Sequence, residues 1–286
     1  MPGMALRIGV SLPVRELKDD LSAIRDFAAL AEELGYTHLR IPEQIARKDS
    51  GHLHEPLTLL AYMAGLTRTI ELVPSVLVLP ARQTALVAKQ AAEIDRLSGG
   101  RLRLGVGVGG NRREFEALGV AFETRGRRCS EQMRLLQRFW TEEAVEFEGE
   151  FHRVRGVGID PLPVQRPIPL WVGGASVPSE PVLRRIGEHA DGWFAICEPE
   201  EQAALRSRID GFARAAGREP AKIGTECGLR THGRSQAEWL GILAARREAG
   251  ITHLCMRTLG AELDAQGHLR ELAEIHKILV QEGHWS

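Results

Sequence analysis

The chain has 286 residues, 43% of them hydrophobic and 26% charged, with a formal net charge of -1. This is the composition of an ordinary globular protein, and its near-neutral balance gives no electrostatic case for nucleic acid or an anionic membrane surface. Its four cysteines (Cys129, Cys197, Cys227 and Cys255) have no C-x-x-C spacing, so the expectation is small buried residues in a reducing cytoplasm, with no disulfide framework and no metal site. Arg7 interrupts an apolar run too short for a secretory leader, and no apolar stretch approaches the roughly 18 residues that span a membrane.

Leu6–Leu12 reads as a first strand, stopped by Pro13. Leu17, Leu21, Ile24, Ala28, Ala31 and Leu34 then recur at helical spacing on one face, and Gly35 ends the helix. Thr37–Ile41 is a second strand that runs into Pro42-Glu43-Gln44. After a polar loop over Ala46–Glu55, Pro56 opens a helix through Gly65. Thr69–Leu79 is a third strand followed by a helix over Gln83–Leu97, and Arg101–Gly107 a fourth, followed by helices over Asn111–Leu118 and Glu123–Trp140. Ala144–Val154 reads as a hairpin, and Pro161, Pro163, Pro167 and Pro169 mark an extended connection. Four further strands each precede a helix: Ile168–Val172 before Pro181–His189, Gly192–Ile196 before Glu200–Ala216, Lys222–Gly228 before Gln236–Ala249, and Gly250–Cys255 before Gly267–Val280. Regular strand–helix alternation implies a parallel sheet covered by helices, and eight units closing on themselves predict one TIM (β/α)8 barrel domain over residues 1–286, with an insertion around residues 141–167.

Active residues of such barrels sit at the C-terminal ends of the strands. Gly105-Val-Gly107-Val-Gly109-Gly110 satisfies G-x-G-x-x-G after a strand. Three strand–helix units precede it, however, and no acidic residue ends a following strand as a dinucleotide fold requires. In a barrel the same glycines would clear space at the mouth. Gly173-Gly174-Ala175-Ser176 follows a strand and precedes a helix, which suits an anion, with Ser176 either adding a hydroxyl or capping the helix. Glu43 and Gln44 place polar groups at the mouth, where a carboxylate can transfer a proton and an amide can only hydrogen-bond. His52 and His54 lie in the next loop, and without a third ligand they make no metal site. Pro74 cannot donate to a central ladder, so the stretch Pro74-Ser75-Val76 predicts a bulge near the mouth. No nucleophile elbow, Walker loop or carboxylate pair stands out, which points to a borrowed cofactor as the source of the reactive chemistry.

The segments VLVLPARQTALVAKQAAEIDRLSGGRLRLGVGVGGN, EFEALGVAFETRGRR, FEGEFHRVRGV, PLPVQRPIPLWVGGAS and HADGWF, in this order, resemble the bacterial-luciferase-like monooxygenase superfamily, especially its branch that uses the deazaflavin F420. The resemblance spans most of residues 6–196 and is looser beyond. It implies a TIM barrel with the cofactor across its C-terminal mouth and a non-prolyl cis peptide at Ser75-Val76 against the ring. It also implies Gly107, Gly109 and Asn111 beside the ring, and phosphate held by Gly173, Gly174, Ala175 and Ser176. Many relatives read Pro-Asp-His where this chain has Pro42-Glu43-Gln44, and Trp where it has Gly110, which widens the pocket. The expectation is hydride transfer between F420 and a small organic molecule, with Glu43, Gln44, His54 and Glu114 as residues that contact the reactants or move a proton, and His52 beside them. The alternatives are an FMN-dependent monooxygenase using oxygen and a non-catalytic flavin-binding barrel. A homodimer is the expected assembly.

Overall fold

A computed structural model describes residues 6–46 and 51–285; part of the expected polar loop after the second strand, residues 47–50, lies outside the described residues. In chain order the elements are β1 (Arg7–Ser11), α1 (Val14–Leu17), α2 (Leu21–Glu33), β2 (His38–Ile41), α3 (Pro56–Leu66), β3 (Glu71–Pro74), β4 (Leu77–Val78), α4 (Thr84–Leu97), β5 (Leu104–Gly107), α5 (Arg112–Ala117) and α6 (Arg125–Thr141). They continue with β6 (Val145–Glu148), β7 (Arg153–Val157), β8 (Leu170–Gly173), α7 (Glu180–His189), β9 (Gly192–Ala195), α8 (Pro199–Ala215), β10 (Gly224–Arg230), α9 (Gln236–Glu248), β11 (His253–Arg257) and α10 (Ala265–Gln281).

The large sheet has the order β3-β2-β1-β11-β10-β9-β8-β5-β4, and its pairings are parallel. Its two ends belong to one interrupted strand. β3 pairs with β2, β4 pairs with β5, and a Leu72–Leu102 bridge ties β3 to the approach of β5. The sheet thus closes on itself as the expected barrel. The single strand expected over Thr69–Leu79 is instead two short strands that stop at Pro74 and resume at Leu77, followed by a 3-10 turn over Leu79–Ala81. The missing N–H of Pro74 and the two residues after it release the chain from one neighbour, and it then joins the other.

Helix starts follow local chemistry. The Asp20 carboxylate accepts from Ala23 N, and Ser235 and Glu238 form a reciprocal capping box. Helix α2 buries Ala23, Ile24, Phe27, Ala28 and Ala31, the face its spacing predicts. The insertion carries the β6–β7 hairpin and is pinned to the barrel by Glu131 of α6. That carboxylate accepts from Glu150 N (2.7 Å) and Phe151 N (2.9 Å) and meets His152 Nδ1 at 2.7 Å. The other His152 nitrogen lies 2.7 Å from Thr84 Oγ1 at the start of α4. All four cysteines are buried and free, and burial pushes the Cys129 and Cys255 thiols up to about 11 and Cys227 to about 12.

Candidate active site at the mouth of the barrel

Alternate residues of each strand face the barrel axis. Here that inward set is not the branched aliphatic filling usual for this fold. His38 and Arg40 come from β2, Glu71 from β3, Trp171 from β8, Phe194 from β9, Glu226 from β10 and His253 and Cys255 from β11, with Arg103 just before β5. Glu226 is their hub. Arg103 donates to its Oε2 at 2.6 Å, Arg40 donates to its Oε1 at 2.9 Å, and His38 Nε2 lies 3.4 Å from Oε1. Arg103 also donates to Glu71 at 2.8 Å and stacks over Trp171, 4.3 Å from the ring centre. Burial alone would raise the Glu226 carboxyl; Arg103, His38 and Arg40 outweigh it and hold the group well below the usual carboxylate range. Burial, with Arg103 beside it, lowers His253 to about 2, so that imidazole is neutral; burial also lowers His38, against the pull of Glu226.

This network reaches the mouth through Arg40. Its guanidinium lies 4.7 Å from the Phe194 ring centre and donates to Ser75 Oγ at the strand interruption. The Ser75-Val76 peptide is cis, as the resemblance implies. Ser75 and Val76 are half-buried between buried neighbours, so the bulge presents the Val76 methyls at the mouth. Two expected glycines flank them. A Cβ on Gly107 would lie 2.7 Å from Val76 Cγ2, and one on Gly173 would lie 2.6 Å from Val76 Cγ1. Gly109, at φ +69°, gives room in the same way to Val78 and Phe115. At these positions a Cβ would meet the protein's own side chains, Val76, Val78 and Phe115 among them.

The remaining expected residues divide into two groups. The Glu43 carboxylate is buried, accepting from Val78 N and from Arg82, so it braces β4 just past the bulge. Burial raises its pKa, with Arg82 and the Val78 N–H opposing. Glu114 is also buried and accepts from Ala46 N at 3.2 Å, and Asn111 accepts from Arg113 N at 3.2 Å as the cap of α5. The Glu43 and Glu114 carboxylates are thus engaged by the scaffold and not turned toward a reactant, and Asn111, expected beside the ring, caps α5 through its Oδ1. Gln44 is half-buried and has no side-chain partner among the described residues. A Cβ on Gly110 would meet nothing within 4 Å, in keeping with a widened pocket. Gly174, Ala175, Ser176 and Val177 are exposed, and their backbone N–H groups find no acceptor among the described residues. Ser176 is not the helix cap; α7 starts at Glu180 with Ser179 before it. His52 lies 3.0 Å from Asp19, and His54 Nε2 lies 2.9 Å from Lys18 O. Asp19, His52 and His54 could together offer three ligand atoms within 4.8 Å, the third ligand that spacing alone could not provide. The direct Asp19–His52 contact accounts for that proximity.

Sequence reading missed Arg40, Glu226, Arg103, His253 and Arg257. The signal was present: RIGVS, HLRI, TECGLR and HLCMR put a polar residue, glycine or cysteine at every second position of strands expected to be buried on both faces.

The luciferase-like monooxygenase family model matches residues 4–282. An F420-dependent glucose-6-phosphate dehydrogenase from Kineococcus radiotolerans is 33% identical over 200 residues, 67% of this chain and 57% of that protein. An FMNH2-dependent dimethylsulfone monooxygenase from Pseudomonas putida is 30% identical over 212 residues, 72% of this chain and 57% of that protein. Among solved structures, a monooxygenase from Streptomyces bottropensis superposes with a TM-score of 0.79 at 21% identity, over 97% of this chain and 99% of that one. A parallel barrel carrying a cis Ser75-Val76 bulge at its mouth, matched along nearly its whole length, belongs to the luciferase-like monooxygenase family.

Proposed function

We propose that this chain is an F420-dependent oxidoreductase that moves hydride between the deazaflavin and a small organic molecule. One observation carries the reading: the Val76 methyls, fixed between Gly107 and Gly173, form a small apolar seat beside the free backbone donors of Gly174–Val177. A flat tricyclic ring fits the seat, and a phosphate fits the N–H groups. When bound, the deazaflavin supplies the two-electron hydride chemistry. The residues of the chain orient and shield it. Arg40 holds Ser75 from below, Glu43 holds Val78 behind the bulge, and Phe194 and Trp171 pack against Val76 from within the barrel. Of the four residues expected to act on the reactants, Glu43 and Glu114 are committed to backbone donors and Gln44 cannot titrate. The His54 Nε2 is likewise engaged, by the Lys18 carbonyl. A cytoplasmic homodimer completes the proposal.

A second reading, FMN with oxygen as co-substrate, is favoured by the likeness to the Pseudomonas putida monooxygenase. Fluorescence titration of the purified protein with F420 and with FMN separates the two. The proposal expects saturable F420 binding; tight FMN binding with no F420 binding replaces it with the second reading. Light scattering tests the dimer.

A further inference from the structure

The two halves of the mouth differ in charge. The half made by β3, β4, β5 and β8 carries the Val76 bulge and Gly107 and Gly173, and its charged groups are paired with each other, Glu71 with Arg103 and Glu43 with Arg82. On the other half, strand register sets Arg230 of β10 beside Arg257 of β11, Arg257 beside Ser11 of β1, and Ser11 beside Arg40 of β2. Parallel neighbours in register point the same way, so three arginines and a serine share one layer at the strand ends. Ser11 is short, and Gly228 leaves room for Arg257, whose Cδ would lie 3.2 Å from a Cβ there.

Arg230 and Arg257 open into a cavity of about 590 Å³ between the ends of these strands and helices α8 and α9. Two further arginines line it, and both are engaged: Arg234 donates to Arg230 O at 3.1 Å, and Arg246 donates to Gln202 at 3.3 Å and lies 3.9 Å from Glu198. The acids of the cavity belong to helix starts. Glu238 accepts from Ser235 N and Oγ, Glu198 caps α8, and Glu200 lies in the first turn of α8. The guanidiniums of Arg230 and Arg257 have no hydrogen-bond or ion-pair partner among the described residues. Burial depresses Arg257, and the nearby charges of Arg40, Arg230 and Arg15 add to the depression, with only the Cys255 thiol opposing. Arg40 is already saturated by Glu226 and Ser75. Like charges crowded around a half-buried Arg257, with no counter-ion among the described residues, favour a bound anion.

We propose that the substrate carries an oxyanion (a carboxylate, sulfonate or phosphate group) that docks on Arg257 and Arg230, while its reacting carbon faces the ring seat across the mouth. This rests on the ring-cofactor reading for the reaction, but the anion site itself can be measured without a cofactor. Both arginines present planar donor forks suited to two oxygens of one group.

The test is calorimetric titration of the cofactor-free protein with inorganic phosphate, sulfate and acetate at constant ionic strength, for wild type, Arg257→Gln and Arg230→Gln. The exposed Arg230 makes the second variant safe for folding should the first disturb the strand ends. Saturable binding of at least one oxyanion, weakened about tenfold or more in either variant with F420 or FMN affinity unchanged, supports the proposal. Equal oxyanion affinity in wild type and both variants overturns it, even where the cofactor binds. Competition between the oxyanion and F420 or FMN assigns the arginines to a cofactor phosphate and also overturns it. Oxyanion binding with no ring binding leaves the cationic site standing and refutes the function proposed above.

Discussion

Gly107→Ala tests the geometry of the seat. Its new Cβ would lie 2.7 Å from Val76 Cγ2 and 3.3 Å from Gly173 O. Carbon pairs are comfortable at about 3.5–4.0 Å, so the overlap is close to an ångström. Val76 cannot swing clear, because its branched side chain is stiff and is packed against Val73, Trp171 and Phe194. Overpacking of this kind costs about 1–3 kcal/mol. Val76→Ala alone removes two half-buried methyls and costs about 1 kcal/mol. The Gly107→Ala/Val76→Ala double variant relieves the clash, leaving the carbonyl contact as the only tight one. Its loss should therefore fall short of the sum of the singles by about 1–2 kcal/mol, the coupling of residues in contact. Urea unfolding of the four proteins provides the cycle. Additive losses would show that Val76 does not fill the space beside Gly107, and the account of the seat would fail.

Two other consequences follow from the barrel interior. Glu226→Gln removes the negative charge shared by Arg103 and Arg40; Arg103 keeps Glu71, but Arg40 keeps no carboxylate. Breaking a buried pair costs about 3–5 kcal/mol, so the thermal midpoint should fall by about 6 °C or more, and an unchanged midpoint would refute the hub. His253 is neutral when folded, lowered to about 2 from an ordinary 6.5. The unfolded chain therefore binds the extra proton between those values. The stability this group contributes is complete above pH 6.5 and is lost as pH falls toward 2, at about 1.4 kcal/mol per pH unit. Stability measured by urea from pH 6 to pH 4 should decline less steeply in His253→Gln than in wild type, by about that slope; parallel declines would contradict the burial of a neutral imidazole.

The barrel was legible because its signals are local and repeated. Pro56 opens α3, Gly35 follows α2, and the apolar face of α2 recurs at helical spacing. The bulge was legible from Pro74, a residue that no central ladder accommodates. The roles of side chains at the mouth were less so. Glu43 and Glu114 stand where reactants could meet them, yet their partners, Val78 with Arg82 and Ala46, lie 35, 39 and 68 residues away along the chain. Which lone carboxylate becomes a brace depends on those distant contacts, and spacing carries no record of them. The Glu226 network was hidden for the same reason, since Arg40, Arg103 and Glu226 meet only across the closed barrel. Alternation within the strands showed which residues share a face, but the habit of apolar barrel interiors argued against reading it.

The central claim is that Val76 forms the surface on which a flavin-type ring rests. Methyl-labelled valine NMR, with Val76→Ala to assign the signals, measures this directly on addition of F420 or FMN. The account predicts that both Val76 methyl resonances move upfield, under the ring current of whichever cofactor saturates the protein. A cofactor that binds while the Val76 methyls stay in place would contradict it.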